Sequence, residues 1–561
     1  MVAGVWALLI GTGLGSTGLI LIGSLCFVAA AIYAVLGRVG SFAALSLFIA
    51  CIAVTPYLYI FIRSAQNPPI NEAAPAVYDL SRRLDALLDV IRRAQYPPRT
   101  PLDDPTVPHG PDNPGRTLGL LAIQFGDYIE YFTWQWAKSV GRWLQVPVAL
   151  IFLGLGLRGS LAQRRADRSA WWLLFGLFMV TGIGLVIYMN FRPGFGRWFD
   201  LYPAGSNHEV RERDYFFVMS FIVWGLWAGM GLVVLARGLI RRAGALGRLA
   251  PAALMLAALP LILNWSAASR RHGPDATLAA DFAYDLLNTV PPYGILFTYG
   301  DNDTFPLWWA QEVAGIRQDV TVVCLALANT DWYMRQLRDA AVRPVDQSAL
   351  PQLWQGAVTP APDWPLHTMS DSAIATAMMG YAVSQTQDLK LGPLTRRLET
   401  GSYLLPNEIL TLSVVQQNVG RRPIVWAITA GREFAGLGAY VIQRSLGFSL
   451  QTGNPDTTSS SLDLRRLAGA PLDLPKSERL VWETYRYAGL LEGDVTRLES
   501  TSASIAATLS FPFVQLAYAL SDRGEIEKMQ RALDYALKLS PNPALRAALT
   551  EMRIRGVDSG R

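Results

Sequence analysis

Residues 294–338 read GILFTYGDNDTFPLWWAQEVAGIRQDVTVVCLALANTDWYMRQLR. The segment Gly294–Gly300 reads as a strand, and Asp301-Asn302-Asp303-Thr304 follows it before a helix from about 304 to 314. Asp319–Ala328 is a near-continuous apolar run, the pattern of a strand buried on both faces. Asn329-Thr330-Asp331 then caps a helix starting near Trp332. Strand, helix, strand, helix in succession predicts a small external α/β domain with a parallel sheet. Leu278–Leu287 adds a helix before it; Leu410–Gln417 and Pro423–Thr429 add a helix and a strand after it. From about 477 the chain reads helical, with Phe513–Leu520 and Ile526–Leu539 paired as a tetratricopeptide-like or plain helical hairpin.

Upstream the character changes. The 561-residue chain is 51% hydrophobic and 17% charged, against ~25% charge in an ordinary soluble domain. That excludes a disordered chain and a purely soluble enzyme. A bilayer core of ~30 Å needs about 20 apolar residues in a helix. Such runs fall at about 15–36, 41–62, 144–160, 170–191, 216–236 and 249–268. The expected architecture is an α-helical polytopic membrane domain of about six spans at 1–269, an external α/β domain at 270–450 and a C-terminal helical region at 451–561.

Charge sets the orientation. Arg158, Arg164, Arg165 and Arg168 crowd one short loop, and Arg237, Arg241, Arg242 and Arg248 another, so both read as cytoplasmic. The connection 63–143, the balanced segment 192–215 and everything after about 269 are then external. Met1 is followed at once by apolar residues with no basic stretch, so the expectation is a chain that begins within a longer protein. Within 63–143, residues 77–94 carry an amphipathic stripe, and Phe125, Tyr128, Tyr131, Phe132, Trp134, Trp136 and Trp143 suit an interfacial helix. No basic run interleaves with aromatics in a polar segment, which argues against nucleic acid as a partner. Cys26, Cys51 and Cys324 make no disulfide framework or zinc spacing.

Three clusters are candidates for chemistry. Asp301, Asn302 and Asp303 lie at the end of a predicted parallel strand, with Asp331 at the end of the next. Asp301 and Asp303 are candidate ligands of a divalent cation, or they cap the turn. The segment His208–Asp214 packs six ionisable groups beside a span. Arg211 and Arg213 suit a phosphate and Glu209 or Asp214 a base, or all four form an ion-pair network. Asn67, Asn71 and Glu72 lie in an extended strip that either lines a site or serves as a rigid link. The catalytic residues stay unknown on this reading.

The strings RSAQNPPINE (63–72), RERDYFFVMSFIVWGLWAG (211–229) and residues 300–338 together resemble a bacterial family of polytopic membrane proteins. That family is protein O-mannosyltransferase-like and contains a domain of unknown function. The resemblance covers about 40 to 430 and implies a GT-C-type glycosyltransferase-like fold, this chain matching a C-terminal portion. It implies transfer of a sugar from a polyprenyl-phosphate donor to a protein or glycan acceptor outside the bacterial cytoplasmic membrane. The family's catalytic acid lies in a region upstream of this chain and is not carried over. The alternative is a non-catalytic membrane protein whose external domain binds a partner or glycan.

Overall fold

The computed structural model describes residues 4, 7–8, 16–37, 40–72, 79–92, 94–95, 100–107, 110–192, 194, 198–202, 209, 212–241, 244, 247–268, 273–356, 360–431, 434–455, 461–463 and 469–559. Contacts divide the chain into two compact units, Met1–Ile60 with Leu87–Arg271 and Phe61–Ala86 with His272–Arg561.

The first unit is helical. Helices α1 (Thr17–Leu36) and α2 (Gly40–Ser64) occupy the first two apolar runs, and α3 (Leu80–Arg92) the amphipathic stripe. They are followed by α4 (Leu118–Ala137), α5 (Arg142–Ala166), α6 (Arg168–Met189), α7 (Val218–Arg241) and the interrupted α8 (Ala250–Leu263). Among the described residues of this unit, three segments are long and apolar enough to cross a membrane: α5, α6, and α7 with its leading turn from Asp214. Leu150, Leu157 and Leu161 on α5, and Ile222, Leu226 and Ile240 on α7, stay exposed on the outer surface. An apolar exterior of this kind suits hydrocarbon rather than water.

Backbone contact between α5 and α7 organises the bundle. A Cβ on Gly159 would sit 1.8 Å from the Trp227 carbonyl oxygen, and one on Gly231 would sit 2.0 Å from that of Leu155. Only glycine permits such an approach, and small residues at helix contacts are how membrane helices gain close packing. Beside the contact, Trp224 Nε1 donates to the Phe152 carbonyl at 3.2 Å and Trp227 Nε1 to Gln163 Oε1 at 2.7 Å. Each indole thus buries its ring without leaving its N–H unpaired. Helix α6 contains a π turn at Val180–Gly184, the kind of interruption that often marks a functional position. There Gly182 faces the Tyr128 hydroxyl, which donates to Ser220 Oγ at 3.1 Å.

The aromatic run expected at an interface forms α4, but its rings turn inward. Tyr128, Tyr131 and Trp136 are buried, and Trp136 stacks on Phe152 at 4.3 Å. Trp143 alone among the seven rings of that run is strongly exposed.

The second unit is built on a seven-stranded sheet. Its strands are β1 (Ile295–Thr298), β2 (Thr321–Cys324), β7 (Ile424–Ala427), β8 (Val441–Arg444), β9 (Gly447–Leu450), β10 (Leu462–Asp463) and β11 (Leu472–Asp473). Strands β3 (Tyr381–Ala382) and β6 (Tyr403–Leu404) form one separate ribbon, and β4 (Gln387–Leu391) and β5 (Leu394–Leu398) another. The sheet order is β10-β11-β8-β9-β7-β1-β2. Strands β7, β1 and β2 are parallel, as expected. The sheet then turns antiparallel through β9 and β8, which corrects the all-parallel expectation. Helix α9 (Leu278–Thr289) precedes β1, α10 (Asp301–Glu312) joins β1 to β2, α11 (Asp331–Asp339) follows β2, and α12 (Pro406–Asn418) precedes β7. Helix α10 begins at Asp301 rather than near 304, because the Asp303 carboxylate fixes the turn immediately after β1.

Helices α13 (Ser500–Asp522), α14 (Ile526–Leu539) and α15 (Pro543–Ser559) close the chain. Helix α13 also has the length and apolarity of a span. Its Leu509, Phe513, Leu516 and Leu520, however, share one buried cluster with Leu296 and Val425 of the sheet and with α14. That makes α13 the core helix of this unit, so its apolarity is used up against protein.

The glycine contact gives a sharp prediction. Gly159→Leu should lower the stability of the detergent-solubilised protein by about 3 kcal/mol, since the added side chain meets backbone. Gly154→Leu, on the same helix but facing open space, should melt like the parent in a thermal-unfolding assay.

Candidate functional site

Helix α4 presents Gln124, Asp127 and Tyr131 on one face, at spacings of three and four residues. All three are buried. Described residues between 190 and 213 bond to that face. Gln124 Nε2 donates to the Phe191 carbonyl at 2.7 Å and to Asn190 Oδ1 at 3.2 Å, while Gln124 Oε1 accepts from Arg116. Arg116 also donates to the Ile187 carbonyl at 2.9 Å, tying the start of α4 to the end of α6. One turn further on, Asp127 Oδ2 accepts from the Tyr202 hydroxyl at 3.2 Å. At the next turn Tyr131 donates to Glu212 Oε2 at 2.7 Å. Glu209 binds Arg213 through Oε2 and accepts the Arg192 backbone N–H through Oε1 at 3.1 Å.

Burial governs the electrostatics. It pushes the Asp127 carboxyl up to about 7, opposed by the Tyr202 hydrogen bond and reinforced by the negative charges of Glu212 and Glu130. Burial likewise raises Tyr131 and Tyr202 well above the ordinary phenol range, each beside a carboxylate. A carboxyl that titrates near neutrality can accept a proton from a hydroxyl in its ionised form. Arg213, paired with Glu209, brings a fixed positive charge to the same cluster.

The expected clusters fare differently. Glu209 and Arg213 are brought together as an ion pair, and Asp214 opens the turn Asp214–Phe217 that starts α7. Arg211 and His208 lie outside the described residues. In the α/β unit Asp303 is a structural residue. Its Oδ1 accepts the Gly300 N–H at 2.8 Å, and its Oδ2 accepts the Tyr299 N–H at 2.9 Å and the Thr429 hydroxyl at 2.5 Å. The carboxylate thereby stitches the end of β1 to the end of β7, the crevice where open α/β sheets usually take a ligand. Asp301 and Asn302 stay exposed, and Asp331 pairs with Arg335 at 2.6 Å. Among the described residues no group of three or more His, Cys, Asp or Glu side chains is arranged to hold a metal.

Asn67, Asn71 and Glu72 lie in a locally fixed connection. Asn71 Nδ2 donates to the Ser64 carbonyl at 2.9 Å, Asn67 holds a left-handed φ of 48°, and burial raises the Glu72 carboxyl. Gln336 of α11 donates to the Pro68 carbonyl at 2.7 Å and so pins the strip to its unit.

Asp127 and Tyr202 were not singled out from the sequence; Tyr131 was read as an interfacial ring and Glu212 as one charge of the 208–214 cluster. The available signal was QFGDYIEYFTWQW at 124–136, an aromatic helix carrying an acid at 127 and polar groups in register with it at 124 and 131.

Residues 279–357 match the family model of TMEM260-associated domain 2. The match begins in α9 and extends beyond α11, and so includes Asp301, Asn302, Asp303 and Asp331. Comparison with curated proteins and with solved structures gives no match. A bundle of membrane-type helices joined to a mixed α/β unit with a TMEM260-associated domain is consistent with a membrane protein of a glycosyltransferase-like family.

The structural role of Asp303 is testable. Asp303→Ala strips three donors of their acceptor and should cost about 3 kcal/mol in thermal unfolding. Asp301→Ala should stay within about 0.5 kcal/mol of the parent.

Proposed function

We propose that this chain is a membrane glycosyltransferase-like protein, or the C-terminal part of one. It would transfer a sugar from a polyprenyl-phosphate donor to a protein or glycan acceptor on the outer side of a bacterial inner membrane. The observation that carries the reading is Asp127, buried beside Tyr202 and the Tyr131–Glu212 pair, with a titration point near 7. Ionised Asp127 takes the proton of the acceptor hydroxyl as its oxygen bonds to the sugar C1. The bond from C1 to the donor phosphate oxygen breaks, and the polyprenyl phosphate leaves with the electron pair. Arg213, with Arg211, would hold that phosphate; Glu209 orients Arg213 through their ion pair, and Asp214 is a further candidate beside them. The TMEM260-associated domain supports the same direction through the link of TMEM260 to protein O-mannosyltransferase-like proteins. Asp301, Asn302, Asp331, Asn67, Asn71 and Glu72 remain candidates on the acceptor side.

A second reading has one observation in its favour. Tyr299, Phe305 and Trp309 are exposed at and after the end of β1, as a partner-binding or glycan-binding surface requires. On that reading the external domain binds and no transfer occurs.

The experiment is sugar transfer from a labelled polyprenyl-phosphate donor in membranes containing the protein. Asp127→Asn should reduce the rate at least 100-fold without loss of folded protein, about the contribution of a general base. The parent rate should rise with pH through about 7, because only ionised Asp127 accepts the proton. Arg213→Ala should raise the donor KM. Absence of transfer by the parent, or an unchanged rate in Asp127→Asn, would contradict the proposal.

A further inference from the structure

The opposite end of the parallel strands carries a second polar feature, independent of glycosyl transfer. A cavity of about 280 Å³ opens where the chain enters β1 and β7, lined by Tyr293, Pro362, Asp363, Trp364, Arg421 and Arg422 among others. Arg422 is only 5% exposed. Its Nε donates to the Tyr293 carbonyl at 2.9 Å and its Nη2 to Thr321 Oγ1 at 2.8 Å. Its Nη1 has no hydrogen-bond partner among the described residues.

The charge is not balanced. Asp319 is the acid that bears on Arg422, but its two oxygens are taken by Arg317, each at 2.9 Å, and one also accepts the Tyr293 N–H. Two buried guanidinium groups therefore share one carboxylate. Burial pulls Arg422 down to about 10, the direction expected of a cation short of a counter-charge. Arg421 adds a further guanidinium, exposed and stacked 3.8 Å over the Trp364 ring. The Trp364 Nε1 is itself fixed by Asn418 Oδ1 at 3.1 Å, so the indole is a rigid wall. Asp363, exposed on the rim, is the acid among these lining residues.

We infer that this cavity binds a small organic oxyanion, a phosphate or carboxylate carried on a compact ring, with the anion bridging Arg421 and Arg422 and the ring against Trp364. The volume suits a monosaccharide-sized body rather than a polymer, and arginine donors match oxyanion geometry. The missing counter-charge is what the ligand supplies.

The test is calorimetric titration of the full chain in detergent with inorganic phosphate, glucuronate and, as the neutral control, glucose. Both anions, or one of them, should bind, and glucose should not; which anion binds tells the phosphate source from the carboxylate source. Arg421→Gln should weaken binding about tenfold, the usual loss for one charge-assisted hydrogen bond. Asp363→Asn should tighten it about threefold by removing a like charge. Both positions are exposed, so both variants should fold as the parent does. Absence of binding by either anion, glucose binding as tightly, or an affinity unaltered in Arg421→Gln would overturn the assignment.

Discussion

The helical unit is arranged around the cost of taking one carboxyl out of water. Asp127 is buried on α4, where it accepts from the Tyr202 hydroxyl. An ionised carboxylate there is poorly solvated, so the fold tolerates the neutral form best. Its folded value of about 7 lies above the ~3.9 of an unfolded chain. The stabilisation from keeping this group neutral is therefore complete below about pH 4 and is lost progressively as pH rises through 7. An acid in such a place opposes stability at neutral pH, which is why Asp127 is a candidate for the site.

The surroundings of Asp127 follow from that constraint. Tyr202 supplies one donor, and Tyr131 diverts Glu212 into a hydrogen bond of its own. The helices that hold these groups are positioned by the glycine contact of α5 with α7 and by indole N–H groups that find acceptors inside the bundle. The α/β unit solves the same problem in the opposite sense. Asp303 uses both oxygens on backbone and hydroxyl donors, which ties the end of β1 to the end of β7.

Much of the fold was legible in the sequence because its signals are local. Apolar runs of span length, the β1-α10-β2 succession and the pair α13–α14 all follow from patterns within a few dozen residues. The mixed character of the sheet was not legible. Strands β8 to β11 are two to four residues long, and no periodicity can be read from so few. The candidate cluster was half legible. Glu209 and Arg213 stood out as charges packed beside a span, whereas Asp127 gains its meaning from Tyr202 and Glu212, 75 and 85 residues away, respectively. Nor does sequence separate α13 from a span, since a core helix and a membrane helix are equally apolar; the difference lies in what covers them.

The most direct measurement is the titration of Asp127 itself, by the pH-dependent difference in carboxyl infrared absorption between the parent and Asp127→Asn in detergent. A protonated-carboxyl band that belongs to Asp127 and disappears with a midpoint near 7 is the predicted result. A midpoint near 4, that of a solvated carboxylate, would show that the group is not held as described and would remove the basis for its role as a base.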